Sequence, residues 1–225
     1  MDTGSAEPDD RGTERDAMVR RQLEARGIRD TAVLRAMREV PRHEFVPDDL
    51  QRHAYEDGPL AIGEGQTVSQ PFVVAKMVEA LELEPTDRVL EVGTGSGYAA
   101  AVLARIAGQV FTVERHASLR IAATERLARL GYDRVLVGAA GLALGWPEQA
   151  PFEAILVSAG SPAVPSSLLE QLTVGGRMVI PVGDLRDRQR LVRVTRASSE
   201  EWTERSFGAV SFVPLVGADA WAESR

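Results

Sequence analysis

Glu91-Val92-Gly93-Thr94-Gly95-Ser96-Gly97 links the apolar run Asp87 to Val92 to an Ala-rich stretch beginning near Tyr98. The run reads as a strand and the stretch as a helix, so the glycines occupy a strand-to-helix turn. In α/β proteins this is where a nucleotide-like ligand binds. Glycine at alternate positions removes Cβ atoms from the bend, which lets the backbone turn tightly and lie against that ligand.

Downstream of the turn, strand and helix signals alternate: strand 87–92, helix 97–107, strand 109–114, helix 117–130, strands 134–138 and 153–158, helix 165–172 and strand 176–182. This order predicts an α/β fold, a doubly wound and mostly parallel sheet covered on both faces. Leu191 to Thr195 and Ser206 to Val213 read as strands with no helix between them, so an antiparallel C-terminal edge is expected. Upstream, Thr13 to Arg26 reads as a helix with Met18, Val19 and Leu23 toward one side and a stop at Gly27. Asp30 can cap a second helix that runs through Glu39 and breaks at Pro41. Tyr55 to Gln70 reads as loop, and Pro71 opens a helix through Leu83. The expected organisation is a disordered tail over 1–12, one domain over 13–217 and a short tail over 218–225. Within the domain, 13–70 form an N-terminal helical cap with its loop and 71–217 an α/β core.

Composition narrows the function. The 225 residues are 44% hydrophobic, enough for a sizeable core. No run approaches the ~18 to 20 apolar residues of a membrane span, and Met1 to Arg15 are polar and charged. A soluble cytoplasmic protein is expected, with no membrane partner. There is no cysteine, and His43, His53 and His116 lack a paired ligand spacing, so no metal is expected. A net charge of −7 argues against nucleic acid. The Arg-rich stretch Arg186 to Arg196, interleaved with Leu191, Val192 and Val194, reads as a strand with one basic, solvated face.

Two common phosphate-binding readings of the loop fail. A dinucleotide fingerprint needs a small third residue for close helix packing, and position 98 is Tyr98. A P-loop needs Gly-Lys-Ser/Thr, which is absent. Glu91, two places before Gly93, would repel a pyrophosphate but suits a ligand with an ammonium group and no phosphate, such as S-adenosylmethionine. Glu114 ends the next strand, where a carboxylate can accept both ribose hydroxyls. The cofactor-binding candidates from the loop and its neighbour are therefore Glu91, Gly93, Gly95 and Glu114.

The segment Tyr55-Glu56-Asp57-Gly58-Pro59-Leu60-Ala61-Ile62-Gly63-Glu64-Gly65-Gln66-Thr67-Val68-Ser69-Gln70-Pro71 closely resembles the substrate-loop signature of the protein-L-isoaspartate O-methyltransferase family. The resemblance continues through Val40-Pro41-Arg42, Phe45-Val46-Pro47, the glycine loop, Gly145-Trp146-Pro147, Gly175-Gly176-Arg177 and Phe212-Val213-Pro214-Leu215, and covers nearly all of 13–217. It implies a class I methyltransferase fold that binds S-adenosylmethionine, leaves S-adenosylhomocysteine and uses no metal. It also implies a monomer that methylates the free α-carboxylate of L-isoaspartyl residues in damaged proteins or peptides. By the same resemblance Ser69 is the catalytic residue and binds substrate together with Thr67. Thr67, Val68, Ser69 and Arg115 also meet the cofactor, as do Gly141 and Leu142 at its adenine end.

Taken without the resemblance, Ser69 could instead cap the helix that opens at Pro71. The sequence departs from the family at three places. Ala140-Gly141-Leu142 stands where the family has Gly-Asp-Gly beside the adenine, Ala61 replaces a usual proline, and Ser158-Ala159-Gly160 replaces Thr-Ala-Ala. Besides repair methylation, two other functions fit these residues. One is a tailoring enzyme that esterifies an aspartate of a specific peptide to form aspartimide, and the other is a homologue that only binds cofactor.

Overall fold

The computed structural model describes residues 11–141, 143–184 and 189–222. The disorder expected for 1–10 lies outside the described residues, and the expected tail is shorter than 12 residues because α1 begins at Gly12.

The N-terminal cap starts with α1 (Gly12–Met18), which continues without a break into a π turn (Val19–Leu23) and a 3-10 turn (Glu24–Arg26). Gly27 ends the run at φ 97°, a conformation open to glycine. In α2 (Thr31–Glu39) the Asp30 carboxylate accepts from the Ala32 and Val33 amides, as its position before the helix foretells. Two short strands follow, β1 (Leu60–Gly63) and β2 (Gln66–Val68), paired antiparallel. The expected loop over 55–70 is therefore half hairpin. Strands of four and three residues are too short to show the alternation by which strands are recognised.

After α3 (Pro71–Leu81) the main sheet begins. Its strands are β3 (Arg88–Val92), β4 (Gln109–Glu114), β5 (Val135–Ala139), β6 (Phe152–Val157), β7 (Leu172–Val182), β8 (Gln189–Arg196) and β9 (Trp202–Val210). They lie in the order β5-β4-β3-β6-β7-β8-β9, parallel through β7 and antiparallel from there to the edge. The crossovers are α4 (Tyr98–Ala104), α5 (Ala117–Arg129) and α6 (Ser166–Leu169). α6 is shorter than expected because the Phe152 amide bonds to the Gln171 carbonyl at 2.8 Å and draws the chain beside β6, so that β7 starts at Leu172.

Alternate residues of the inner strands build two cores. Val89, Val110, Ala154 and Val179 join a cluster with α2, α3 and α4, while Leu90, Phe111, Ile155 and Met178 join another with α6 and Trp146. Burial on both faces explains why these strands read as continuous apolar runs rather than as an alternation. No helix among the described residues is long and apolar enough to cross a membrane.

Candidate active site

β3 has β4 on one side and β6 on the other, so the connections diverge at its C-terminal end and open a crevice there. The glycine turn occupies that crevice. The Gly93 and Thr94 amides both donate to the Val113 carbonyl, at 2.9 and 3.2 Å, which folds the turn over the end of β4. On the other side the Ser158 amide donates to the Val92 carbonyl at 2.9 Å. Gly93 sits at φ +96°, and a Cβ there would stand 3.5 Å from the Ser158 Cβ. The backbone is thus laid bare to the crevice.

Two carboxylates flank the turn in different environments. Glu91 is 1% exposed, and Thr112 Oγ1 donates to its Oε2 at 2.7 Å while pairing with Thr94 Oγ1 at 2.6 Å. Burial pushes the Glu91 carboxyl up to about 8; the Thr112 hydrogen bond opposes this and the nearby Glu114 charge adds to it. Glu114 is also buried, but its oxygens accept from the Gly95 and His116 amides, both at 2.9 Å. One acid is thus poised to gain a cationic partner, and the other is fixed in orientation at the strand end where a ribose would lie.

The hairpin forms the opposite wall. Thr67 and Val68 belong to β2, and Ser69 follows directly. Gln70, not Ser69, is the N-cap of α3, and no side chain caps that helix, so the capping role open to Ser69 is not the one it takes. The Ser69 carbonyl accepts from Arg42 Nη2 at 2.8 Å. That bond fixes the backbone of the loop where the serine enters the cleft.

Together these walls enclose about 1080 Å³, the open mouth included. Thr67, Val68, Ser69, Glu91, Gly93, Gly95, Glu114, Arg115 and Gly141 all line this space, so the fold brings together every expected site residue it describes. Leu142 lies outside the described residues. The cleft has further walls that sequence reasoning did not supply. Ser158 comes directly after β6, His116 stands two residues after Glu114, and Val213 to Val216 return across the crevice after the edge strand. The last segment is held by Gly160, whose amide donates to the Val213 carbonyl and whose carbonyl accepts from Leu215, both at 2.8 Å. Phe212-Val213-Pro214-Leu215 stood out as a motif, but only the path of the chain shows that it reaches the site.

The set fits S-adenosylmethionine: a cradle with glycine at alternate positions, a buried acid for an ammonium, and a fixed acid for ribose hydroxyls. At the other end Ala140 and Gly141 offer no carboxylate, while His116 Nε2 is buried without a partner among the described residues. Those residues contain no cluster of side chains able to hold a metal ion.

Residues 13–220 match the family model described as Protein-L-isoaspartate(D-aspartate) O-methyltransferase. A protein-L-isoaspartate O-methyltransferase of Pelotomaculum thermopropionicum is 56% identical, over 95% of this chain and 93% of its own. One from Methylorubrum extorquens is 59% identical, over 92% of this chain and 90% of its own. A solved protein-L-isoaspartate O-methyltransferase superposes with a TM-score of 0.81 at 29% identity, covering 92% of this chain and 67% of that one.

Proposed function

This chain belongs to the protein-L-isoaspartate(D-aspartate) O-methyltransferase family and methylates L-isoaspartyl residues of damaged proteins in an S-adenosylmethionine-dependent reaction, and we propose that it does so with Ser69 and Thr67 holding the acceptor and the Glu91 to Gly97 turn holding the donor. The observation that carries this reading is the convergence of β2, β3 and β4 on one cleft. Ser69 on one wall faces a space bounded on the other by Glu91 and Glu114.

An isoaspartyl residue continues the main chain through its side-chain carbonyl, which leaves its α-carboxylate free. With a pKa of ~3.5 that group is already ionised at neutral pH, so the protein needs no general base. When bound, S-adenosylmethionine supplies a methyl group already activated on a sulfonium sulfur. What remains for the side chains is placement in a shielded site, an effect worth up to ~7 to 11 kcal/mol in favourable cases. Ser69 orients the carboxylate through its hydroxyl and is not a nucleophile. Glu91 pairs with the donor's ammonium, Glu114 accepts the ribose hydroxyls, and Thr67, Val68 and Arg115 close the walls around them. Gly141 and Leu142 leave the adenine to backbone groups. The resulting methyl ester is lost through a succinimide, which returns some normal aspartate. We further propose that the enzyme is a monomer acting in the cytoplasm.

The test uses labelled cofactor and three peptides of one sequence, carrying isoaspartate, aspartate or no acid at the same position. Label in the isoaspartyl peptide alone is expected. Label on ordinary aspartate would shift the reading to peptide tailoring, and binding of cofactor with no label in any peptide would overturn it.

A further inference from the structure

Arg42 sits in the cap at 0% exposure, a cation with no water around it. Its Nε donates to the Ala54 carbonyl and its Nη2 to the Ser69 carbonyl, both at 2.8 Å. The guanidinium lies 4.7 Å from the centroid of the Tyr98 ring, and Nη1 is buried with no partner. No carboxylate of the described residues pairs with it; the groups that bear on its charge are Tyr98, electrostatically and through a side-chain hydrogen bond, and Tyr55. Buried charges are ordinarily paired, because an uncompensated one is costly to keep from water. A guanidinium cannot escape by losing its proton either.

Two of its neighbours locate the missing anion. Ser69 and Tyr98 both line the cleft, whereas Arg42 itself does not, so the charge stands one residue behind the wall where the acceptor is held. The acids of the cleft are engaged elsewhere, Glu91 with Thr112 and Glu114 with the Gly95 and His116 amides. We propose that Arg42 is a positioning residue for the isoaspartyl α-carboxylate: it fixes Ser69 through its carbonyl and supplies, from behind the wall, the positive charge that this carboxylate balances. Methylation removes the carboxylate's charge, so the same cation favours bound substrate over methyl ester and assists product release. The inference rests on the assignment of Ser69 to the acceptor.

The test compares binding of two peptides to the enzyme saturated with S-adenosylhomocysteine, one with isoaspartate and one with its neutral α-amide. The wild-type protein is expected to bind the acid at least tenfold more tightly than the amide. Arg42→Met should lower that preference below threefold and raise KM for the isoaspartyl peptide more than it lowers kcat, with S-adenosylhomocysteine affinity within threefold of normal. Arg42→Lys, which keeps the charge, should retain the preference. Equal weakening of acid and amide in Arg42→Met would make the residue merely structural and overturn the proposal. If that variant does not fold, a wild-type preference below threefold overturns it without any variant. Ser69→Ala separates the two readings. Unchanged KM and kcat there would sink the Ser69 assignment and this inference together, whereas a normal Ser69 effect with full acid preference in Arg42→Met would sink the Arg42 role alone.

Discussion

Glu91 carries the clearest pH signature of any single residue. Its carboxyl, pushed up to about 8 by burial, is mostly protonated at pH 7 while no cation faces it, and an ammonium placed beside it favours the ionised form. Binding of S-adenosylhomocysteine, which keeps that ammonium, should therefore release up to one proton at pH 7. Calorimetry in buffers of different ionisation enthalpy would read this, and Glu91→Gln should abolish it. Affinity should rise with pH toward about 8, approaching tenfold per unit well below that value, and then level off. For the free protein the sign is opposite. The native state holds a proton that the unfolded chain releases near the ordinary carboxylate pKa, so stability falls as pH climbs through the window up to about 8. Glu91→Gln should thus raise the melting temperature at pH 8 and leave it nearly unchanged at pH 4, while binding less cofactor product at pH 8. Ser69 differs in its proposed role, in which its hydroxyl orients the acceptor and takes no proton. Ser69→Ala is expected to lower turnover roughly ten- to hundredfold while leaving S-adenosylhomocysteine affinity intact. The place of both residues on the cleft was legible in the sequence, Glu91 from its position before a glycine turn and Ser69 from the family's loop. Ser158 and His116 were not legible, because nothing in their local pattern says that β6 ends beside β3 or that the second residue after Glu114 turns inward.

At the scale of elements, the β1–β2 hairpin depends most on its surroundings. A two-stranded hairpin is marginal by itself in water, and this one turns through Gly63, Glu64 and Gly65, all at positive φ. It is fastened at the tip, where Ser118 Oγ donates to Glu64 Oε1 at 2.7 Å, and along its length, where Ile62 packs against Gly95. An acid at the first turn of α5 also interacts favourably with that helix's dipole. Glu64→Ala removes the fastening but keeps the strained φ. It should speed amide hydrogen exchange over Gln66 to Val68 and raise KM for the isoaspartyl peptide a few-fold, with α3 and the main sheet unaffected; unchanged exchange in the hairpin would show that Ile62 alone suffices. The same dependence explains why the segment read as loop. Its strands are specified by contacts with α5 and the glycine turn rather than by their own propensity, whereas β3, β4 and β6 announce themselves because burial on both faces demands uninterrupted apolar residues.

For the molecule as a whole, the cap and the α/β core share one interior. A single buried cluster runs from Met18 and Leu23 through Met37 and Phe45 to Tyr98, Ala154 and Leu191. Phe45 meets Tyr98 and Tyr132 edge-on at 5.7 and 6.3 Å, and the Tyr98 hydroxyl points to the Met37 sulfur at 3.6 Å. Tyr98 thus does more than exclude a dinucleotide: the ring where a small residue would allow close helix packing is the post on which the cap docks. That joint could not be read from the sequence, since no periodicity links residue 45 to residue 98. The alternation of strands and helices, by contrast, was enough to foresee the parallel sheet and its antiparallel edge. From the shared interior we propose that residues 13–217 unfold as one unit. Calorimetry should give a single transition whose calorimetric and van't Hoff enthalpies agree. The cleft draws walls from both cap and core, so S-adenosylhomocysteine at a hundredfold excess over its Kd should move that whole transition up by roughly 5 to 10 °C without splitting it. Two peaks, with only the upper one responding to the ligand, would instead mean that the cap folds apart from the core and that the hairpin wall is assembled only when substrate arrives.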